Sequence, residues 1–384
     1  MGKPGLVLAM SPENLSATLD EPTGRRLAGL TDVDLELVVT GFDPAPSAVR
    51  CGEPVDPTDR LAGAEVLFSC WGVPRLDGQA LAQMPGLRTV VHAAGSVKGF
   101  VTPELIARGI TVSSAAAANA IPVAEYTVAM VLLAGKSAFT VADAYARGQS
   151  REDFYQQPDP AGPEETGDPT APEDSEDSAD AGASPAGAGG VSGVPARVRH
   201  GNLGRKVGVI GASRVGRKVL ELLRVYDFEL FVADPTITAA DAAELGATLM
   251  EIDKLIPRCD VVSIHAPDVP ATRQLIDARR LAMLRPGATL INTARGRLLD
   301  TAALIERLRG GDLYAVLDVT DPEPLPADSP LFTLPNVIVT PHVAGSLGTE
   351  VARMGALAVQ EVARYVGGEP YLHQVDLTRW DQLA

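Results

Sequence analysis

The chain predicts an α/β protein built on parallel sheets, and three observations carry that prediction. Short β-rich runs alternate with helical stretches in two separate series. A Pro-, Gly- and acid-rich segment divides the two series. The second series opens on a glycine-rich turn set between a strand and a helix. At 384 residues the chain exceeds what one hydrophobic core ordinarily holds, so two domains are expected.

In the N-terminal series the β-rich runs are Leu6–Met10, Leu35–Val39, Glu65–Ser69, Thr89–His92 and Thr111–Ser113. One helical stretch follows, from about Val123 to Arg147. Pro122 fits its first turn, where a missing N–H costs nothing. Residues from about Asp153 to Val194 lack aliphatic periodicity and cannot bury enough apolar surface to offset chain entropy. A disordered linker is expected there. The second series has six strand-like runs: Val207–Ile210, Leu230–Ala233, Val261–His265, Thr289–Asn292, Ala315–Val319 and Val337–Thr340. Helical stretches such as Val215–Tyr226 and Thr301–Arg309 lie between them, which suits a dinucleotide-binding sheet with right-handed crossovers. Residues from Gly348 to Val366 read as one amphipathic helix.

Composition removes several function classes. The formal net charge of −16 argues against nucleic-acid binding, which wants a basic surface. Eleven acidic residues lie between Glu152 and Asp180, so most of the imbalance belongs to one segment, and an anionic substrate needs local cations elsewhere. Cys51, Cys70 and Cys259 form no CxxC pair, which leaves no disulfide framework or metal site to expect. Cys259 reads as a buried structural thiol. The longest apolar run, Tyr126–Ala134, is too short to span a bilayer, and MGKPGLVLAM lacks signal-peptide features. A soluble, cytoplasmic protein with no membrane partner is expected.

The glycine-rich turn is Gly211-Ala212-Ser213-Arg214-Val215-Gly216, a GxGxxG phosphate fingerprint with Ser213 at its middle glycine. Gly211 permits the tight turn, Gly216 lets helix approach strand, and the helix N-terminus offers N–H groups to a pyrophosphate. Asp234 ends the next strand, where a carboxylate accepts from both ribose hydroxyls of NAD and repels a 2′-phosphate. NAD is thus favoured over NADP. Ser213 either weakens phosphate binding or donates a compensating hydrogen bond.

Three later segments place polar residues at strand ends: INTARG, LDVTDPEPL and VTPHVAG. Reduction of a 2-oxo acid asks for an Arg to hold the carboxylate and polarise the carbonyl. It also asks for a His to protonate the oxygen as hydride arrives, and for a carboxylate to orient that His. Arg295, His342 and Glu323 supply these types. Taken singly, Arg295 also reads as a strand-end cap, Glu323 as solvated surface and His342 as a buried structural histidine.

With VIGASRVGRKV, DVVSIHAPDVPATRQLID, LRPGATLINTARGRLLD, LDVTDPEPL and NVIVTPHVAGS in that order, the chain resembles the D-isomer-specific 2-hydroxyacid dehydrogenase family over about residues 60–150 and 200–375. The resemblance implies two Rossmann-like doubly wound domains. The substrate domain is flavodoxin-like and built from both chain ends (1–120 and 346–384). A linking helix (121–150), an acidic insert (151–199) and an NAD-binding domain (200–345) complete the chain. It implies Arg295, Glu323 and His342 as the catalytic set. Cofactor contacts are implied at Asp234, Arg214, Val215, His265, Ala266, Pro267, Thr293, Ala294, Asn119 and Gly345, and at Asp318 beside the nicotinamide amide. Backbone N–H groups of Ala94, Gly95 and Ser96 are implied to hold the substrate carboxylate, and a homodimer is expected.

Lys98 follows that loop and is a candidate for a second anionic group of the substrate, against a plain solvated lysine. Trp71 either walls the cleft or packs in the core. The resemblance also leaves open a non-catalytic NAD-sensing binding protein and an enzyme acting on formate or phosphite.

Overall fold

The computed structural model describes residues 2–43, 45–148 and 201–382, so the acidic insert expected at 151–199 lies outside the described residues. Two seven-stranded sheets form the molecule. The first contains β1 (Gly5–Ala9), β2 (Asp32–Gly41), β3 (Ser47–Arg50), β4 (Glu53–Val55), β5 (Val66–Ser69), β6 (Thr89–His92) and β7 (Thr111–Ser114), in the order β4-β3-β2-β1-β5-β6-β7. Its parallel part, β2-β1-β5-β6-β7, has the flavodoxin strand order. The β3–β4 hairpin adds an antiparallel edge that the periodicity did not predict. It turns through Cys51 and Gly52, both at positive φ, a turn without the usual Asn-Gly or Asp-Gly signal.

The second sheet contains β8 (Arg205–Ile210), β9 (Phe228–Ala233), β10 (Thr248–Leu249), β11 (Val261–Ile264), β12 (Ala288–Asn292), β13 (Leu313–Leu317) and β14 (Val337–Val339), in the order β10-β9-β8-β11-β12-β13-β14. All its pairs are parallel. This is the Rossmann order with one strand more than the six expected; the two-residue β10 is too short to show any period. Central strands β6, β11 and β12 are buried along their whole length, as strands covered on both faces must be.

The linking helix departs from expectation. It is two helices, α1 (Ala116–Gly135) and α2 (Ala138–Ala146), broken at Lys136–Ser137, where Ser137 has φ +49°. Pro122 lies inside α1 rather than in its first turn. The alanine-rich start, AAANA, propagates helix well before the proline, whose missing N–H removes one intrahelical bond. By length and composition α1 could cross a bilayer. Here Ala124, Val128 and Val131 are core, packed with Val207, Val209 and Val219 of the second sheet's layer. The chain reaches β8 through a pinned crossing: Gly201 N–H donates to Gly135 O at 2.7 Å, and a Cβ on Gly135 would lie 1.6 Å from Asn202 Oδ1.

Near the C-terminus a 3-10 turn (Gly348–Glu350) precedes helix Val351–Val366. Its Ala358, Val359 and Val362 pack with Leu8, Phe68 and Val91 of the first sheet. Gly355 allows this approach, because a Cβ there would meet Thr18 O at 1.7 Å. Buried Glu361 then accepts from Ser113 Oγ (2.8 Å) and from the N–H groups of Leu372 and His373, tying the tail to β7.

Candidate active site

Ligands of α/β sheets sit beyond the carboxyl ends of the parallel strands, and a loop there from the first sheet touches a loop there from the second. Lys98 Nζ donates to Asp268 O of the other domain at 3.1 Å, and Ser346 N–H donates to Asn119 Oδ1 at 2.9 Å where the chain re-enters the substrate domain. Asn119 also sits against Gly95, so it lies between the substrate-side loop and the Gly345–Ser346 turn. Lys98 is half-buried and bridges to the opposite domain, which removes the plain solvated reading. Trp71 is 37% exposed, which removes the core-packing reading.

The dinucleotide half begins at the turn after β8. Gly211 has φ +98°, and a Cβ there would lie 2.6 Å from Ala266 N. A Cβ on Gly216 would lie 2.0 Å from Gly211 O. Both positions therefore exclude a side chain. Ser213 takes a third role: its hydroxyl accepts from Gly216 N–H at 3.4 Å and caps helix Arg214–Leu223. The first N–H groups of that helix have no intrahelical partner and suit a diphosphate. Asp234 accepts from Ala212 N (2.6 Å), Thr236 N (2.7 Å) and Thr236 Oγ1 (2.6 Å). Three of its roughly four lone-pair sites are taken. It fits a ribose diol only if the Thr236 hydroxyl gives way.

His265 is buried beneath this turn, close to the Gly216 Cα, with Nε2 2.9 Å from Ser263 Oγ and Nδ1 unpartnered among the described residues. Burial pushes its pKa down to about 3, so its ring is neutral. Ala266 follows it against Gly211, and Pro267 O accepts from Thr272 Oγ1 at 2.5 Å. Thr293 Oγ1 lies 3.0 Å from Thr127 Oγ1, which joins the β12 loop to α1, and Ala294 N–H donates to Asn292 Oδ1.

The catalytic candidates come from three neighbouring strands, β12, β13 and β14. Arg295 follows β12, its only side-chain hydrogen bond among the described residues running from Nη1 to Ala294 O at 2.7 Å. It forms no ion pair there, so its fork is open to a carboxylate. Gly296 beside it is obligatory, since a Cβ would fall 2.0 Å from Thr320 backbone. His342 Nδ1 lies 2.7 Å from Glu323 Oε1, and both side chains are about half exposed. The buried reading of His342 thus gives way, and Glu323, though at the surface, is paired to it.

What holds His342 was not legible beforehand. Its backbone sits at φ +57° and its N–H donates to Asp318 O. The Asp318 carboxylate, 1% exposed, accepts from Thr340 Oγ1 (2.6 Å), Val343 N (2.8 Å) and Ala344 N (3.0 Å). Tyr126 on α1 hydrogen-bonds Thr340 in turn at 2.9 Å. Asp318 is therefore anchored into the histidine loop, in addition to its expected place beside a nicotinamide. The Asp after β13 was the available signal for this role.

Residues 192–344 match the family model described as D-isomer specific 2-hydroxyacid dehydrogenase, NAD binding domain. The chain belongs to the D-isomer-specific 2-hydroxyacid dehydrogenase family. It is 31% identical over 295 residues to D-3-phosphoglycerate dehydrogenase of Mycobacterium tuberculosis, covering 77% of this chain and 48% of that protein. The chain thus spans about half the length of the curated relatives it first matches. Among solved structures, the TT0316 protein of Thermus thermophilus superposes with a TM-score of 0.65 at 26% identity, covering 96% of this chain and 99% of that one. A D-isomer specific 2-hydroxyacid dehydrogenase of Xanthobacter autotrophicus Py2, solved with NADPH and MES, gives 0.64 at 23% identity and covers 98% and 99%, a likeness of fold.

Proposed function

We propose that this 2-hydroxyacid dehydrogenase family member transfers a hydride between NAD and a small D-2-hydroxy/2-oxo acid such as glyoxylate, hydroxypyruvate or a phospho-analogue. The observation that carries the reading is the 2.7 Å His342–Glu323 pair on a loop locked by Asp318, with Arg295, which has no ion pair among the described residues, beyond the end of β12 in the same sheet. When bound, the nicotinamide supplies the hydride. Arg295 holds the carboxylate and polarises the carbonyl, with the N–H groups of Ala94, Gly95 and Ser96 sharing the load. Glu323 orients the ring of His342 through Nδ1, and Nε2 gives a proton to the carbonyl oxygen.

This chemistry also speaks against formate as substrate. Loss of hydride from formate leaves carbon dioxide, with no alkoxide for a Glu-paired histidine to protonate. NAD is preferred over NADP in this proposal because Asp234 would meet a 2′-phosphate and Thr236 brings no cation. Homodimeric assembly and a cytoplasmic setting belong to the proposal on family resemblance.

The test is a screen of glyoxylate, hydroxypyruvate, pyruvate and phosphohydroxypyruvate with NADH and with NADPH. His342→Ala should lower turnover on the accepted acid about 10²-fold or more, with the Kd for NADH moved less than about twofold. Near-parental turnover in that variant, on every acid the parent accepts, sinks the His342 assignment, whereas a parent that binds NADH and turns over no acid favours an NAD-sensing binding protein.

A further inference from the structure

The substrate-side loop, Ala93–Ser96, leaves β6 directly after a buried histidine that the catalytic set does not use. His92 is 3% exposed and lies opposite Ser69 in the β5–β6 register. Its Nδ1 is 3.0 Å from Ser69 Oγ. Its ring also hydrogen-bonds the Ser96 backbone, and it packs at 51° on Phe100 with centroids 4.8 Å apart. The imidazole thus reaches from the sheet to the far end of the loop.

The tautomer follows from these partners. A carbonyl can only accept, so the ring nitrogen facing Ser96 O carries the proton; with Nδ1 engaged by Ser69, that nitrogen is Nε2. Nδ1 of the neutral ring then accepts from the Ser69 hydroxyl. Burial drives the His92 pKa down to about 3, which keeps the ring neutral and leaves the choice of tautomer to these partners. In a trans peptide the N–H points opposite the carbonyl. Drawing Ser96 O inward onto His92 therefore turns the Val97 N–H outward. The N–H groups of Ala94, Gly95 and Val97 make no hydrogen bond among the described residues, while that of Ala93 is spent on Ser69 O at 2.6 Å.

We propose that His92 is a positioning residue for the substrate carboxylate: a neutral strut between Ser69 and the Ser96 carbonyl that sets the loop with its N–H donors facing the ligand. This rests on the proposed function, in which that loop holds the carboxylate. A solvated loop would place its donors by chance; this one is braced from beneath by a group that cannot donate from both nitrogens unless it is charged.

His92→Phe keeps an aromatic ring against Phe100 and removes both polar bonds. His92→Gln restores a donor near the position of Nε2. Two measurements decide: amide hydrogen exchange of residues 93–98 in the free protein, and KM, kcat and the NADH Kd for the best oxo acid. His92→Phe should speed loop exchange and raise the oxo-acid KM, each about tenfold, with the NADH Kd moved less than about twofold. His92→Gln should recover most of both. Unchanged loop exchange in His92→Phe, or an unchanged KM in an active parent, overturns the proposal alone. A parent that reduces no oxo acid overturns the functional reading, and the carboxylate role falls with it. If both variants lose thermal stability equally and Gln rescues neither KM nor exchange, His92 is a packing residue and the proposal fails.

Discussion

Arg295 and His342 differ in what they need from their neighbours. Arg295 needs an unspent guanidinium, and its side chain donates only to Ala294 O among the described residues. Lysine at this position would keep the charge and lose the planar fork that matches a carboxylate. Arg295→Lys should therefore raise the oxo-acid KM at least about tenfold, read from steady-state kinetics at saturating NADH; an unchanged KM would remove Arg295 from carboxylate binding. Ser213 is a different case. Its departure from the glycine fingerprint is visible in the sequence, but the reason is not, because capping depends on backbone geometry rather than spacing. With its hydroxyl on Gly216 N–H, Ser213→Ala should cost about 1 kcal/mol of stability and Ser213→Gly only a few tenths. Thermal denaturation of the two variants compares them directly, and an equal loss would deny the cap.

Between residue and fold, the histidine loop is the element on which the proposed chemistry depends. Asp318 is buried and serves three donors of the segment 340–344. Removing it strands two backbone N–H groups and a hydroxyl. Asp318→Ala should cost about 3 kcal/mol, measured from the urea midpoint, and should lower turnover as His342 leaves its left-handed geometry. If stability falls and turnover does not, the loop does not position His342. The parallel strands were legible because their runs are short and rich in apolar and β-branched residues; β6 at Thr89–His92, in the first sheet, matches the reading residue for residue. The break between α1 and α2 was not legible, since Gly135-Lys136-Ser137 contains no strong stop and its cause is tertiary: Gly135 is consumed by the crossing to Asn202. The β3–β4 hairpin escaped for a related reason, as Cys51 carries no intrinsic preference for φ > 0. In the site, residue types that bear chemistry could be read directly, whereas Asp318, Asn292 and His92 act through backbone groups that leave no mark in sequence spacing.

At the scale of the molecule, the two sheets carry matching weaknesses at their strands' carboxyl ends. His92 ends β6 in the first sheet and His265 follows β11 in the second. Both are buried, and burial lowers each pKa from the ordinary 6.5 to about 3. The sign of the consequence follows from proton uptake. Below pH 6.5 the unfolded chain protonates both rings while the folded protein protonates neither until about pH 3. The unfolded state then binds more protons, so stability that is complete above pH 6.5 is lost progressively as the pH falls toward 3. At pH 5 each ring accounts for about 2 kcal/mol of that loss. Carboxylates with lowered pKa values, such as Asp253 beside Arg280 and Arg279, add their share only at the acid end of this range, below the ordinary 3.8. The window between pH 6.5 and about 5 therefore belongs to the histidines. Chemical denaturation of the parent across that window should show stability falling by up to about 2.7 kcal/mol per pH unit, the slope of two protons. Replacing both histidines by glutamine should flatten the slope whatever it does to the absolute stability. A double variant that keeps the parental slope would place the acid sensitivity elsewhere and would leave the two strand ends without their shared titration.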